Sequence, residues 1–324
     1  MASRVHPEAS RKGRAALLKA IMLGGAALSL ASPALATENG TNPFPNGLNG
    51  TEIGNLPPKG VYLINEFVYI SADRFNDSNG DKAFPDFNLD VAAYAPRFMW
   101  NTGQKVLGAD LAFQFIEPFV YTDLSNPPPA PFIPELPPFG SKKDFGLGDP
   151  IITALLAWHG KKVHVIYGQD FVFPVGEYKR DRLVNPGMNR FTTSPAVAIT
   201  YYPSNKWDIS AKATYDIYFK NDKTNYDSGN AFLLDYAINR HIDIKSGKLL
   251  VGVSGYLFDQ VKDDKVNGVR FLDGFRGHAF SVGPTLTYQN RKGPRFELKL
   301  QKDMDVKNRP EGFRAFLRAY MKLN

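Results

Sequence analysis

Arg295-Phe296-Glu297-Leu298-Lys299-Leu300-Gln301-Lys302-Asp303 is the stretch that decides the fold. Arg295, Glu297, Lys299, Gln301 and Asp303 fall on one face of an extended chain and Phe296, Leu298 and Leu300 on the other, because successive side chains of a strand point to opposite sides. One face is wet and the other apolar. Phe280, Val282, Pro284, Leu286 and Tyr288 likewise oppose Ser281, Gly283, Thr285, Thr287 and Gln289. Residues 207–220 set Trp207, Ile209, Ala211, Ala213, Tyr215, Ile217 and Phe219 against Asp208, Ser210, Lys212, Thr214, Asp216 and Tyr218. Shorter alternations near 92–100, 107–115, 148–158 and 232–239 carry Arg97, Asp110, Gln114, Asp149 and Asp235 on the polar side.

These segments run about 9 to 13 residues, nearer the reach of tilted membrane-spanning strands than the roughly 5 to 6 residues of ordinary sheets. The connectors alternate in length, as in outer-membrane barrels with short periplasmic turns and longer outside loops. Short ones are expected at 101–105, 159–162, 203–206, 241–247 and 290–293, long ones at 73–88, 122–145, 176–190, 221–228, 259–277 and 303–311. That predicts an all-β, transmembrane, antiparallel up-and-down barrel of about twelve strands with a polar interior and both ends in the periplasm. Trp100, Trp158, Tyr201, Tyr202 and Trp207 beside short turns fit an interfacial aromatic girdle.

The N-terminus reads as an export signal spanning residues 1–36: Arg11, Lys12, Arg14 and Lys19, then an apolar run from Ala20 to Ala31, then Ala34-Leu35-Ala36. Gly24, Gly25, Ser29, Ser32 and Pro33 dilute the run below what a membrane anchor of about 20 apolar residues needs. With Arg4, Arg11, Lys12, Arg14, Lys19 and Glu8 removed, the 39 basic and 32 acidic residues become 34 and 31, so no nucleic-acid partner is expected. There is no cysteine, which excludes disulfides, thiol nucleophiles and thiolate metal sites. Residues 37–59, rich in Asn, Gly and Pro, read as an irregular periplasmic lead-in or small plug, and residues 60–324 as the barrel. Asn39-Gly40-Thr41 and Asn49-Gly50-Thr51 match a glycosylation acceptor, but Asn-Gly is first a turn signal.

Pro58-Lys59-Gly60-Val61-Tyr62, Ser71-Ala72-Asp73-Arg74, Ala95-Pro96-Arg97-Phe98, Gly146-Leu147-Gly148-Asp149 and Phe173-Pro174-Val175-Gly176 carry a resemblance to a known family. With them the chain resembles the outer-membrane family described as transporters of the meta-pathway of phenol degradation, a relative of the fatty-acid and aromatic-hydrocarbon outer-membrane transporters. The resemblance implies location in a Gram-negative outer membrane, passage of small hydrophobic or aromatic molecules, and contact with outer-membrane lipid and with the barrel-assembly machinery. The C-terminus departs from the Phe or Tyr that ends many such barrels: this chain ends Tyr320-Met321-Lys322-Leu323-Asn324, although Phe313, Ala315, Leu317, Ala319, Met321 and Leu323 still alternate outward.

Glu66, Arg97, Asp110, Asp149, Asp170, Lys212, Asp216, Asp235, Arg295, Glu297, Lys299, Arg314 and Arg318 are expected to point inward, since a charge facing lipid costs about 2 to 4 kcal/mol at the midplane. They would either set selectivity or neutralise one another and fill the lumen. The Pro-rich stretch 125–140 offers Phe132, Ile133, Leu136 and Phe139 as a patch that captures apolar ligands, or as a rigid loop over the mouth. His159, His164, His241 and His278 are scattered, none shares a strand face with a neighbouring serine, and no Gly-x-Ser-x-Gly elbow occurs. A catalytic site, a cofactor and a metal centre are therefore not expected. The reading is a passive outer-membrane conduit for small hydrophobic or aromatic compounds feeding a catabolic pathway. The alternatives are a structural or partner-binding barrel with a sealed lumen and, third, an outer-membrane lipid hydrolase.

Overall fold

The computed structural model describes residues 42–84, 86–125 and 143–323; the expected export signal of residues 1–36 and Phe132, Ile133, Leu136 and Phe139 lie outside them. The strands are β1 (Gly60–Phe75), β2 (Asn88–Val106), β3 (Ala109–Ile116), β4 (Phe119–Ser125), β5 (Lys143–Leu147), β6 (Ile151–His159), β7 (Val163–Val172), β8 (Thr192–Ser204), β9 (Trp207–Tyr218), β10 (Tyr226–Asp227), β11 (Ala231–Ile244), β12 (Gly247–Gln260), β13 (Lys265–Val266), β14 (Val269–Arg270), β15 (His278–Asn290), β16 (Arg295–Lys307) and β17 (Pro310–Lys322).

Twelve of them, β1, β2, β3, β6, β7, β8, β9, β11, β12, β15, β16 and β17, pair antiparallel in that order, and β1 closes the barrel on β17 with Tyr62 opposite Lys322 and Phe75 opposite Pro310. Closure leaves no open ladder edge among these strands, the condition for crossing lipid as strands. Alternation is as expected in β16, where Glu297 keeps 1% exposure and Leu298 has 41%. Trp100, Trp158, Tyr201 and Trp207 face outward near the short turns. Tyr202, adjacent to Tyr201, must face the other way and bonds to Glu52 inside.

Two connectors differ from expectation. The stretch 303–311 is no long loop: β16 continues to Lys307 and β17 starts at Pro310, leaving a two-residue turn. Its charges belong to strand residues that continue the ladder, where polarity no longer separates strand from loop. The first short turn sits at Leu107-Gly108 rather than 101–105, with φ of 51° and 76°, the left-handed pair a tight hairpin needs.

Prolines break the wall once. Pro118 separates β3 from β4, and Pro150 stands between β5 and β6; neither can donate to a ladder. Below the break β3 pairs with β6, above it β4 pairs with β5, and β6 continues onto β7. Among the described residues no strand pairs with the other edge of β5.

At the upper end of the barrel, Ala72 and Phe75 of β1 and Leu124 of β4 join Phe87, Val184, Phe271 and Phe275 of the connectors in one apolar cluster. Inside it, residues 42–57 run as irregular turns held to the wall by hydrogen bonds. Lys299 Nζ donates to the carbonyls of Gly47, Leu48 and Asn49, Asp235 accepts from Gly47 N at 2.9 Å, and Arg318 donates to Leu48 O at 3.3 Å. Gly47 has φ of 87°, and a Cβ there would fall 2.0 Å from Gln301 Oε1, so glycine is required.

Candidate ligand cavity

The inward positions of the upper barrel are not uniformly polar. On β1 they are Val68, Ile70 and Ala72; on β2, Leu89, Val91, Ala93 and Ala95; on β4, Val120, Thr122 and Leu124. These side chains enclose a cavity of about 250 Å³ with Phe44 and Leu48 of the internal segment as floor and Phe87, Leu183 and Val184 as roof. A dry engineered cavity of about 150 Å³ holds benzene, so this volume admits a substituted single ring. The expected polar interior is thus corrected to half an interior. Over residues 67–70, 91–95 and 119–121, β1, β2 and β4 are apolar on both faces.

Charges at the rim of the cavity are matched in pairs. Glu66 accepts from Arg97 at 2.9 Å and from Arg318 at 2.7 Å, and Arg314 Nε lies 2.9 Å from Asp303. Glu297 adds Arg318 at 3.4 Å and Lys299 at 3.7 Å. Buried charges of this kind persist only with partners, which the sheet supplies from β1, β2, β16 and β17.

The cavity abuts the break in the wall. Asp149, between β5 and β6, accepts from Gly176 N at 2.9 Å and Met188 N at 2.7 Å, which ties the 173–191 connector across the unpaired edge of β5. Glu177 completes the tie, donating from its N to Leu147 O at 2.8 Å while its carboxylate accepts from Leu147 N at 3.2 Å. Gly146-Leu147-Gly148-Asp149 and Phe173-Pro174-Val175-Gly176 therefore meet at one seam.

The other inward charges serve the internal segment or the lower wall. Asp110 pairs with Lys105 at 2.7 Å near the first turn. Asp170 accepts from Thr153 at 2.5 Å and lies 3.9 Å from Lys212, and Asp216 accepts from Ser194 at 2.6 Å. Arg295 holds Glu52 at 2.6 Å. Burial pushes the Glu52 carboxyl up, but Arg295, the Tyr202 hydroxyl and His241 outweigh it and hold it below the ordinary carboxylate value.

His241 lies in β11 rather than in a turn and bonds Asp208 at 2.8 Å. Glu52, Asp208 and His241 place ligand atoms within 4.8 Å of one another, but the guanidinium of Arg295 already sits on the Glu52 carboxylate, where a cation would be repelled. His278 contacts Asp259 and Asp305, not a serine. The apolar lining was missed in the sequence, although residues 91–95 are apolar on both faces and so announce it.

The sequence profile of the family described as "Putative MetA-pathway of phenol degradation" matches residues 72–319. The chain belongs to that family. Among solved structures it is similar to the COG4313 outer membrane channel from Pseudomonas putida F1, at 18% identity and a TM-score of 0.70, over 84% of this chain and 98% of that one. Weaker likenesses include a Pseudomonas aeruginosa FadL homologue, with 10% identity, a TM-score of 0.37 and coverage of 87% and 95%. The CymD monoaromatic hydrocarbon channel matches with 9% identity, a TM-score of 0.39 and coverage of 84% and 90%. No curated protein sequence matches significantly. The likeness to the COG4313 channel shows the fold, a closed antiparallel β-barrel of the outer-membrane type.

Proposed function

We propose that the barrel conducts small hydrophobic or aromatic compounds passively into the periplasm for catabolism. The observation that carries this reading is the apolar cavity of about 250 Å³ inside the barrel, bordered by paired charges that the internal segment and the wall satisfy. An apolar inward face has no structural use in a water-filled lumen, since it adds nothing to pairing and forgoes hydration. The cluster of Phe75, Phe87, Phe271 and Phe275 closes the route straight down from outside, so the ligand reaches the cavity from the lipid through the seam at Asp149 and Gly176. The Pro-rich loop with Phe132, Ile133, Leu136 and Phe139 concentrates ligand at the surface. Residues 1–36 act as a removed export signal and residues 42–57 as a plug, and the inward charges anchor that plug rather than select ions.

The test is uptake of labelled toluene by cells with and without the protein, with permeabilised cells correcting for metabolism. A saturable, protein-dependent rate is expected. Equal rates, with the barrel folded in the outer membrane, would instead favour the sealed structural barrel, a reading that the filled lumen also supports.

A further inference from the structure

Asn42-Pro43-Phe44-Pro45-Asn46 presents a single aromatic ring from a segment stiffened by two prolines. The Phe44 ring lines the cavity. Two cations lie close to the same ring, with Arg97 Cζ 5.9 Å and Lys212 Nζ 5.3 Å from the ring centroid. Both distances fall within the range of about 6 Å at which a cation is drawn to a π-face. Neither cation is among the cavity-lining residues, and Phe44 borders both them and the cavity.

Arg97 is spoken for by Glu66 and by Gln114, to which it donates at 3.0 Å. Lys212 is different: its nearest acidic partner, Asp170 Oδ2, is 3.9 Å away, beyond hydrogen-bond reach, and its side chain keeps 15% exposure inside the barrel. Asp170 Oδ2 is itself a buried atom with no hydrogen-bond partner. A donor and an acceptor thus face each other across a gap beside an aromatic ring, each with unmet capacity. A hydroxyl between them would accept from Lys212 and donate to Asp170.

We propose that Phe44 occupies a subsite for hydroxylated aromatic rings, which a ligand enters by displacing the Phe44 side chain. The ligand ring takes the π-face position over Arg97 and Lys212, and its hydroxyl bridges Lys212 and Asp170. The inference deepens the transport reading and rests on it. An alkane fills the cavity but gains nothing from the two cations, and a plain arene gains the π-face contact without the bridge.

The test uses p-cresol and p-xylene, which differ by a hydroxyl in place of a methyl group. Equilibrium dialysis of each labelled compound against the purified barrel in nanodiscs, corrected with empty nanodiscs, gives both affinities. The wild type should prefer p-cresol by roughly tenfold, the discrimination expected when a hydrogen bond to a charged group is gained. Lys212→Met should bring p-cresol down to the p-xylene level and leave p-xylene within about twofold to fivefold. Phe44→Ala, or Phe44→Leu where bulk is needed to keep the segment folded, should tighten p-cresol several-fold because the internal competitor is gone. Heat-modifiable electrophoretic mobility checks that each variant is folded. Equal affinities in the wild type, or p-cresol binding that weakens in both Phe44 variants, would overturn the subsite and leave the transport reading standing. Absence of binding by either compound to the wild type would end both.

Discussion

The inward faces of β2 and β16 stand in the same barrel and answer opposite demands. β16 turns Glu297, Lys299, Gln301 and Asp303 inward, all buried, and binds the internal segment through them. β2 turns Leu89, Val91, Ala93 and Ala95 inward, where Ala93 and Ala95 pack against the clusters of Leu48 and Phe44 and all four border a cavity, with no charge among them. One half of the barrel is a socket for a piece of its own chain and the other half keeps space open. The difference shows that inward polarity here follows what each sector holds rather than a requirement of the fold. Substitutions on the socket side should therefore be felt in stability, and those on the cavity side in ligand handling.

The largest expected effect is that of Lys299→Met. It removes the Lys299 donor from the carbonyls of Gly47, Leu48 and Asn49, of which Gly47 keeps Gln301 and Leu48 keeps Arg318, and it leaves Glu297 with Arg318 and the Tyr320 hydroxyl. Removing one partner of a buried charge network costs about 3 to 5 kcal/mol. Urea unfolding of the barrel in liposomes measures it, and limited proteolysis reports release of residues 42–57. A loss under about 1 kcal/mol would mean that water replaces the lysine, and the socket would be no tighter than a solvated surface.

Next is Asp149→Ala, which acts at the seam between the two regions. It leaves the amides of Gly176 and Met188 without their acceptor, at a cost of about 1 to 3 kcal/mol. Protease cleavage within 173–191 should accelerate while cleavage elsewhere stays constant. A uniform increase would place Asp149 in the global fold rather than in the local tie.

Val91→Thr should be milder in stability and selective in function. The two side chains have similar shape, but the hydroxyl adds a polar group to the cavity wall, worth about 1 kcal/mol, or roughly fivefold, in affinity for an apolar ligand. Urea unfolding should stay within about 0.5 kcal/mol of the wild type, and toluene uptake at low concentration should fall. The opposite pattern would show that β2 packs a core rather than a binding space.

How far these two regions were legible in sequence follows the same division. The β16 alternation is complete within Arg295 to Asp303, because strand period and burial are local properties. For β2 the signal was present and differently used: Arg97 marks the polar side, but Leu89, Val91 and Ala93 on that same side mark where the lumen turns apolar. The internal segment was legible only as irregular. Its conformation is set by partners far along the chain, such as Gly47 with Asp235, 188 residues apart, and no periodicity encodes such a pairing. The seam escaped notice for a related reason. Pro118, Gly148 and Pro150 each read as ordinary punctuation, and Asp149 as one more inward charge, until the sheet sets them side by side.

The smallest effect concerns the lower end of the segment, where the socket has a titratable clasp. Glu52 is held by Arg295, Tyr202 and its own backbone bond to Ser210, and its folded pKa lies below the ordinary value. A depressed carboxyl pKa stabilises the folded state above the unfolded pKa, and that stabilisation is lost as pH falls through the folded one. The clasp should therefore hold from neutral pH down to about pH 5 and weaken below about pH 4. Proteolysis of residues 42–57 by an acid-active protease should rise in that lower range, by about 1 kcal/mol of local opening. Glu52→Gln keeps the shape and removes the titration, so it should be more open at neutral pH and flat with acidification. An acid response that survives Glu52→Gln would locate the titrating group deeper in the socket, among the carboxylates that face Lys299 and Arg318, and would make the whole polar half, rather than its lower rim, the pH-sensitive part.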